Sequence, residues 1–282
     1  MAAPPTAIEQ SLPSEPDAAT DIVVFDRVSI AFDEKPVLEG ISFRLAKGET
    51  KAIFGVAGSG KSTILKLALG LLKPDAGHIY VLGEDVTQMP EDALFDLRRK
   101  IGMVFQESAL FDSLTVRENV AFRLLEEGDV SDEEVEKRVR EALRFVELED
   151  TVDKFPAELS GGMRRRVAIA RAIITQPEIL LYDSPTGGLD PVTSTTIVQL
   201  IVKQRDVYKT SSLLVTHRLQ DAFIMATHYF DRNANEMRPL PPGAHGEVPM
   251  AFLILRDGKV IFDGDAHELA QSKQEYIREY IS

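Results

Sequence analysis

Residues 55–63, Gly55-Val56-Ala57-Gly58-Ser59-Gly60-Lys61-Ser62-Thr63, stand between the apolar run ETKAIFG (49–55) and the helix-forming run ILKLALGLL (64–72). This order reads as a buried strand leading through a glycine-rich loop into a helix. The first eight residues fit G-x-x-x-x-G-K-[ST], and Thr63 extends the match. Glycine lets backbone N–H groups close around an anion, and the helix N-terminus behind them adds positive potential. The expected roles are separate: Lys61 reaches the β- and γ-phosphates of a nucleotide, and the Ser62 hydroxyl binds Mg²⁺. The alternative is a glycine turn before an ordinary helix, and the flanking strand and helix argue against it.

On the N-terminal side, IVVFDRVSIAF (22–32) and VLEGISFRL (37–45) predict an antiparallel pair around a polar turn at residues 33–36. Downstream, from Gln88 to Phe155, charged helical patterns dominate, and a helical subdomain is expected over about residues 88–165. Its clearest piece is SDEEVEKRVREALRFVEL (131–148), with Ser131 and Glu134 as a capping box and Val135, Val139, Ala142, Leu143 and Val146 as the buried face. Past Leu159, helix and strand alternate: RRRVAIARAII (164–174), EILLYD (178–183), a helix after Asp190, SSLLVTH (211–217) and another helix. Such alternation implies a parallel sheet. FLILRDGKVIFDG (252–264) reads as a hairpin turning at Asp257 and Gly258. The polar, proline-rich residues 231–249 are expected to be an exposed loop insertion. The C-terminal HELAQSKQEYIREYIS (267–282) reads as a helix packed on the body or on a partner.

Together these elements predict an α/β P-loop NTPase fold over residues 22–282. Its parts are a RecA-like core with a mostly parallel sheet, an N-terminal antiparallel β subdomain and an inserted α-helical subdomain. No internal repeat is present, so a second copy of the module is not fused in.

Composition narrows the function classes. Thirty-two Lys and Arg against 45 Asp and Glu give a formal net charge of −13, which repels polyanions, so nucleic acid is not an expected partner. Cysteine is absent, which removes disulfides, iron–sulfur clusters and thiol catalysis and fits a reducing compartment such as the cytoplasm. No run approaches the about 18 uncharged apolar residues of a spanning helix. Residues 1–21 lack a positive n-region and an apolar h-region, so a disordered tail is expected there rather than a secretory signal.

The second half of the site lies far along the chain. Ile179-Leu180-Leu181-Tyr182-Asp183 is an apolar strand ending in a carboxylate, which is how an Asp is delivered to a phosphate-bound Mg²⁺. Leu159-Ser160-Gly161-Gly162-Met163 opens a helix and offers a second anion loop, with a plain helix cap as the alternative. Two anion loops on one chain suggest that each serves a different molecule's phosphate and that the protein dimerises around nucleotide.

These motifs, with Gln106, Gly188-Leu189-Asp190 and Val215-Thr216-His217, resemble the ATP-binding subunit of an ABC transporter over roughly residues 22–282, apart from 231–249. The resemblance implies ATP and Mg²⁺ as ligands, with ATP on Gly55, Val56, Ala57, Gly58, Ser59, Gly60, Lys61, Ser62 and Thr63, and the metal on Ser62, Gln106 and Asp183. Phe32 would stack on adenine, with simple core as its alternative. Gln106 would also meet the attacking water and sense a membrane partner. Ser160, Gly161 and Gly162 would bind the γ-phosphate held by the opposite subunit, Asp190 would cross that interface, and His217 would contact the γ-phosphate. MVFQESALFDSLTVRENVAFRL (103–124) and LSGGMRRRVAIARA (159–172) are similar to the ATPases of Mla and Mce lipid-transport systems. That implies lipid cargo, an integral-membrane permease, a homodimer at the cytoplasmic face of the inner membrane, and a Mce-type substrate-binding protein. Leu110, Phe111 and Leu114 could offer a groove to a partner's short helix, or serve as core.

The pattern breaks at Ser184. The family places an acidic residue there, usually Glu, as general base or water positioner, and loss of a general base costs about 10²–10⁴-fold in rate. Three accounts stand: slow turnover supported by His217 and Gln106, a missing group supplied by a partner, or a nucleotide-binding switch that hydrolyses little. A soluble ABC-type protein of DNA repair or translation would predict a fused second module or a basic surface, and the chain shows neither.

Overall fold

Asp33 and Glu34 make the first turn with φ of 49° and 62°, the left-handed pair of a type I′ hairpin. They join β1 (Asp21–Phe32) to β2 (Lys35–Ala46) in an antiparallel ladder running from Phe32↔Lys35 to Asp21↔Ala46. The structure is a computed structural model that describes residues 20–128, 130–241, 244, 248–274 and 276–278. The expected tail, 1–21, lies almost wholly outside the described residues. After β2 come β3 (Thr50–Gly55), α1 (Lys61–Ala68), β4 (Ala76–Val81) and β5 (Glu84–Asp85). β4 pairs with the free edge of β1, giving an antiparallel sheet in the order β2-β1-β4-β5.

The chain continues through α2 (Glu91–Arg99), β6 (Ile101–Val104), α3 (Val116–Glu127), α4 (Asp132–Phe145), α5 (Gly161–Ile173), β7 (Ile179–Asp183) and α6 (Pro191–Tyr208). β8 (Ser211–Val215), α7 (Leu219–Thr227), β9 (His228–Asp231), β10 (Glu236–Pro239), β11 (Met250–Arg256), β12 (Lys259–Gly264) and α8 (Ala266–Gln271) complete it. The main sheet runs β12-β11-β3-β8-β7-β6, parallel throughout except for β12. β12 returns from β11 across Asp257 and Gly258, φ 50° and 75°, as the sequence predicts.

Each parallel strand is covered on both faces, so its residues are apolar in succession rather than alternately. In β7, Ile179 and Leu181 join the layer holding α1, α2 and the β1–β2 sheet. Leu180 and Tyr182 join the layer holding α3 to α7. α1 and α5 therefore pack on opposite faces of the main sheet.

Three expectations need correction. Residues 88–165 are not helical throughout, because Ile101–Val104 forms the edge strand β6, paired parallel with β7. Four residues between charged helices are too few for periodicity to separate strand from helix. The capping box at Ser131 is only half formed: its hydroxyl accepts from Glu134 N–H at 3.4 Å, but the Glu134 carboxylate takes Arg138 at 2.8 Å instead of the cap backbone. A complete box forms at Thr115 with Glu118.

The third correction is to residues 231–249, which are not a loop throughout. β9 and β10 pair from His228↔Pro239 to Asp231↔Glu236. Arg205, buried in α6, donates to Met225 O and His228 O, and Asp206 accepts from Phe230 N–H at 2.7 Å. The hairpin thus hangs from α6 through contacts no local pattern records. At the C-terminal end, Ile277 is fully buried and Arg256 lies 4.3 Å from the Tyr276 ring centroid, so this part packs on the body. Among the described residues no helix is long and apolar enough to cross a membrane.

Candidate functional site

The glycine loop joins the C-terminal end of β3 to α1. Gly55 and Gly60 are required by both conformation and space. Their φ values are 153° and 92°. A Cβ at Gly55 would lie 2.4 Å from Ser59 Oγ, and one at Gly60 would lie 2.6 Å from Leu38 Cδ2. Val56, Ala57 and Gly58 form the exposed rim, Ser59 and Gly60 are buried, and Lys61, Ser62 and Thr63 are half-buried. No side chain caps α1 and no acidic residue sits in its first turn.

Lys61 Nζ folds back on the loop and donates to Gly55 O and Val56 O, each at 2.8 Å. Burial pushes its ammonium below the ordinary lysine range, with the Asp183 charge opposing. A desolvated cation beside an uncapped helix end fits a phosphate group. Phe32 closes β1 and is 43% exposed, which removes its reading as core. Val37 and Leu38 of β2 touch the Gly60 position, so the hairpin that carries Phe32 lies beside the loop.

β7 delivers Asp183, half-buried, to the same place, and Ser62 Oγ donates to its Oδ1 at 3.2 Å. A hydroxyl and a carboxylate are hard oxygen donors of the kind Mg²⁺ takes beside phosphate oxygens. Ser184 follows, 8% exposed and in the left-handed region at φ 48°. Its N–H donates to Val215 O at 2.9 Å and its carbonyl accepts from Gly187 N–H at 2.9 Å. A Cβ on Gly187 would lie 3.4 Å from Ser184 Cβ and 3.8 Å from His217 Cε1, which brings Ser184, Gly187 and His217 together. His217 is exposed at the end of β8, not a core histidine.

The second anion loop stands elsewhere. Ser160 caps α5, its Oγ accepting from Met163 N–H at 3.2 Å, and Ser160 and Gly161 are exposed. A Cβ on Gly162 would lie 2.3 Å from Thr193 Cγ2, so the first turns of α5 and α6 pack closely. Asp190 caps α6 by accepting from Thr193 N–H at 3.0 Å and from its hydroxyl, which hold the carboxyl below the usual range. α5 and α1 lie on opposite faces of the sheet, and the nearest atoms within 4 Å of a Cβ at Gly161 or Gly162 belong to Arg164, Leu189 and Thr193, none of them to the glycine loop.

Gln106 is exposed in a turn after β6, closed by Ser108 N–H on Phe105 O at 3.0 Å. Two α5 residues that the sequence reading passed over hold this loop. Arg165 donates to Phe105 O at 2.7 Å and to Gly187 O at 3.4 Å. Arg171 donates to Ala109 O at 2.7 Å and to Ser108 O at 2.9 Å. A signal was present: in RRRVAIARA the apolar spacing puts position 165 on the buried side with Ala168 and Ala172, and a buried Arg needs partners.

Beyond Gln106 opens an apolar groove of about 560 Å³, lined among others by Leu71, Phe95, Phe105, Phe111, Phe122 and Arg171. Of the three residues expected there, only Phe111 lines it. Leu110 packs against the α3–α5 layer, and Leu114 is half-buried.

The sequence model of the family described as ABC transporter matches residues 38–187. The chain is 38% identical over 263 residues to the chloroplastic protein TRIGALACTOSYLDIACYLGLYCEROL 3 of Arabidopsis thaliana, covering 89% of this chain and 71% of that one. It is 40% identical over 216 residues to the methionine import ATP-binding protein MetN of Rhizobium meliloti, covering 74% of this chain and 60% of that one. Among solved structures, the dimeric post-hydrolysis ATP-binding cassette MJ0796 bound to ADP and Pi superposes with a TM-score of 0.71 at 32% identity, covering 86% of this chain and 98% of that one. CbiO1 of Clostridium perfringens, part of the ABC transporter complex cbiONQ, gives a TM-score of 0.75 at 27% identity, covering 92% and 94%. Glycine cradle, desolvated lysine, hydroxyl–carboxylate pair and α/β core all agree with these likenesses: the chain belongs to the ABC transporter family, as an ATP-binding domain that takes ATP with Mg²⁺.

Proposed function

We propose that this ATP-binding subunit hydrolyses ATP slowly and thereby drives lipid transport through a membrane permease, as a homodimer at the cytoplasmic face of the membrane. Lys61 binds β- and γ-phosphate oxygens, and the glycine loop donates its N–H groups to them. Ser62 and Asp183, joined by Gln106, hold Mg²⁺, which when bound neutralises charge on the phosphate oxygens. Phe32 stacks on adenine. Gln106 orients water, and His217 contacts the terminal phosphate. The partner chain supplies Ser160, Gly161 and Gly162, and Asp190 lies at that interface. The separation of α1 and α5 onto opposite faces supports this two-chain reading, as does the dimeric form of MJ0796.

The groove around Phe111 suits an amphipathic helix of the permease. Lipid cargo is supported by the galactolipid in the name of the relative that covers 89% of this chain, and by the segments 103–124 and 159–172. In that reading a Mce-type substrate-binding protein belongs to the same system.

Ser184 is the observation that carries the slow rate, since its hydroxyl neither accepts a proton readily near neutral pH nor carries charge to orient water. It equally favours the second reading, a nucleotide switch with little hydrolysis. The deciding experiment is Mg²⁺-dependent phosphate release by the purified protein, alone and reconstituted with its permease, with Lys61→Ala as blank. Turnover above the blank supports the transport ATPase, and ATP binding without turnover supports the switch. Ser184→Glu is expected to raise turnover about 100-fold or more. No rise would sink the idea that this position limits the rate.

A further inference from the structure

Arg165 sits one turn inside α5 and is 5% exposed. Its two hydrogen bonds go to backbone carbonyls 60 and 22 residues away in sequence, Phe105 O and Gly187 O. Phe105 O immediately precedes Gln106. Gly187 O closes the turn that begins at Ser184, whose own carbonyl accepts from Gly187 N–H. Burial disfavours the Arg165 charge, the Glu107 carboxylate only partly offsets that, and Arg165 Nε has no partner. Burying a guanidinium with two neutral acceptors and no ion pair is costly. A planar fork reaches two separate loops through two different nitrogens, whereas an ammonium must bring both acceptors to one nitrogen.

We infer that Arg165 is a positioning residue that locks the Gln106 loop and the Ser184–Gly187 turn into one register with the first turn of α5. The inference rests on the reading that this site turns ATP over. In that reading one of the two loops carries Gln106, which orients water, the other carries Ser184 beside His217, and the helix it belongs to opens at Ser160 to Gly162. Ser108 and Ala109 stand at φ 65° and 47°, a backbone course that holds only while it is tied. Arg171 ties the far end of the same loop at Ser108 and Ala109 and lies 5.9 Å from the Phe111 ring centroid in the groove wall. One face of α5 thereby runs from the groove to the reactive end of the site. Arg171 holds the groove end, and Arg165 reaches across to the Ser184 turn.

The test is backbone hydrogen exchange at the amides of Ser108 and Gly187, together with kcat and KM for ATP, in the full chain with its permease. Arg165→Met is expected to speed exchange at both amides about tenfold or more while amides of β3 and β8 stay protected. It is expected to lower kcat about 10- to 100-fold with KM for ATP unchanged within about twofold. Arg165→Lys, which reaches one carbonyl, is expected to protect one of the two amides and to recover only part of kcat.

Unchanged exchange at both amides overturns the inference. So does a uniform rise across the chain, or a Met variant that turns ATP over normally. If Arg165→Met fails to fold, the Lys variant decides on the same readouts. Wild-type protein without turnover defeats the hydrolysis reading alone, and the exchange of the two loops still decides whether Arg165 ties them.

Discussion

The two Ser/Gly loops that open α1 and α5 are finished in opposite ways. α1 starts at Gly60 with no side-chain cap, its first turn half-buried under the glycine loop with the Lys61 ammonium. α5 starts at Ser160, whose hydroxyl satisfies Met163 N–H, and the loop is exposed. Orphan N–H groups at a helix start demand a partner. At α1 the fold withholds every side-chain partner and supplies a cation instead, so this end is committed to an anion. At α5 the chain satisfies itself and can exchange its cap for a phosphate brought by another molecule. The contrast separates an uncapped helix end beside a buried cation from a self-capped end on the opposite face of the sheet, which in the proposed two-chain reading would be half of a second phosphate site.

Lys61→Ala strikes the committed end and carries the largest effect. It removes the cation expected to meet the phosphates, and ATP binding is expected to weaken about 10- to 100-fold in calorimetric titration, with thermal stability unchanged or raised. Affinity kept within about twofold would mean that α1 is not where the phosphates bind. Ser160→Ala strikes the self-satisfied end. It is expected to cost about 1 kcal/mol in urea unfolding and to leave the ATP affinity of the single chain intact, while sedimentation shows weaker ATP-driven dimerisation. A drop in single-chain affinity would show that both loops act on one nucleotide and would dissolve the contrast.

The smallest effect is on pH. Burial disfavours the Lys61 ammonium, so its charge opposes folding below its lowered pKa, and that penalty is relieved as pH rises through it. ATP binding needs the charge, so affinity is expected to fall over the same rise, beginning below the range of an ordinary lysine. ATP titrations from about pH 7 to 10 would follow the fall, and Lys61→Arg should flatten it.

What could be read before any fold was known tracks how local each requirement is. The turns at Asp33-Glu34 and Asp257-Gly258 and the loop at 55–62 announce themselves, since positive φ and a missing Cβ restrict which residues fit. The strand at 101–104 did not, because a four-residue run takes its state from the neighbour it pairs with. The β9–β10 hairpin depends on Arg205 and Asp206, more than 20 residues away, to satisfy His228 O and Phe230 N–H. Polar, proline-rich sequence there reads as loop until those partners are known. Leu110, Phe111 and Leu114 share one short segment, and only packing decides that Phe111 alone lines the groove.

By itself the sequence determined the α/β fold class, the phosphate loop with Lys61 and Ser62 and the Asp183 strand end, whereas the break at Ser184 shows only against the pattern of the family it resembles. Each of the first three rests on a requirement met within a few residues: backbone conformation, strand burial or the chemistry of one side chain. The tertiary structure alone decided that α1 and α5 lie on opposite faces, that Ser62 meets Asp183 at 3.2 Å, and that Arg165 holds the loops of Gln106 and Ser184. These are choices of partner for buried polar groups. Such a group needs some partner wherever it lies, and only the path of the chain in space selects which one.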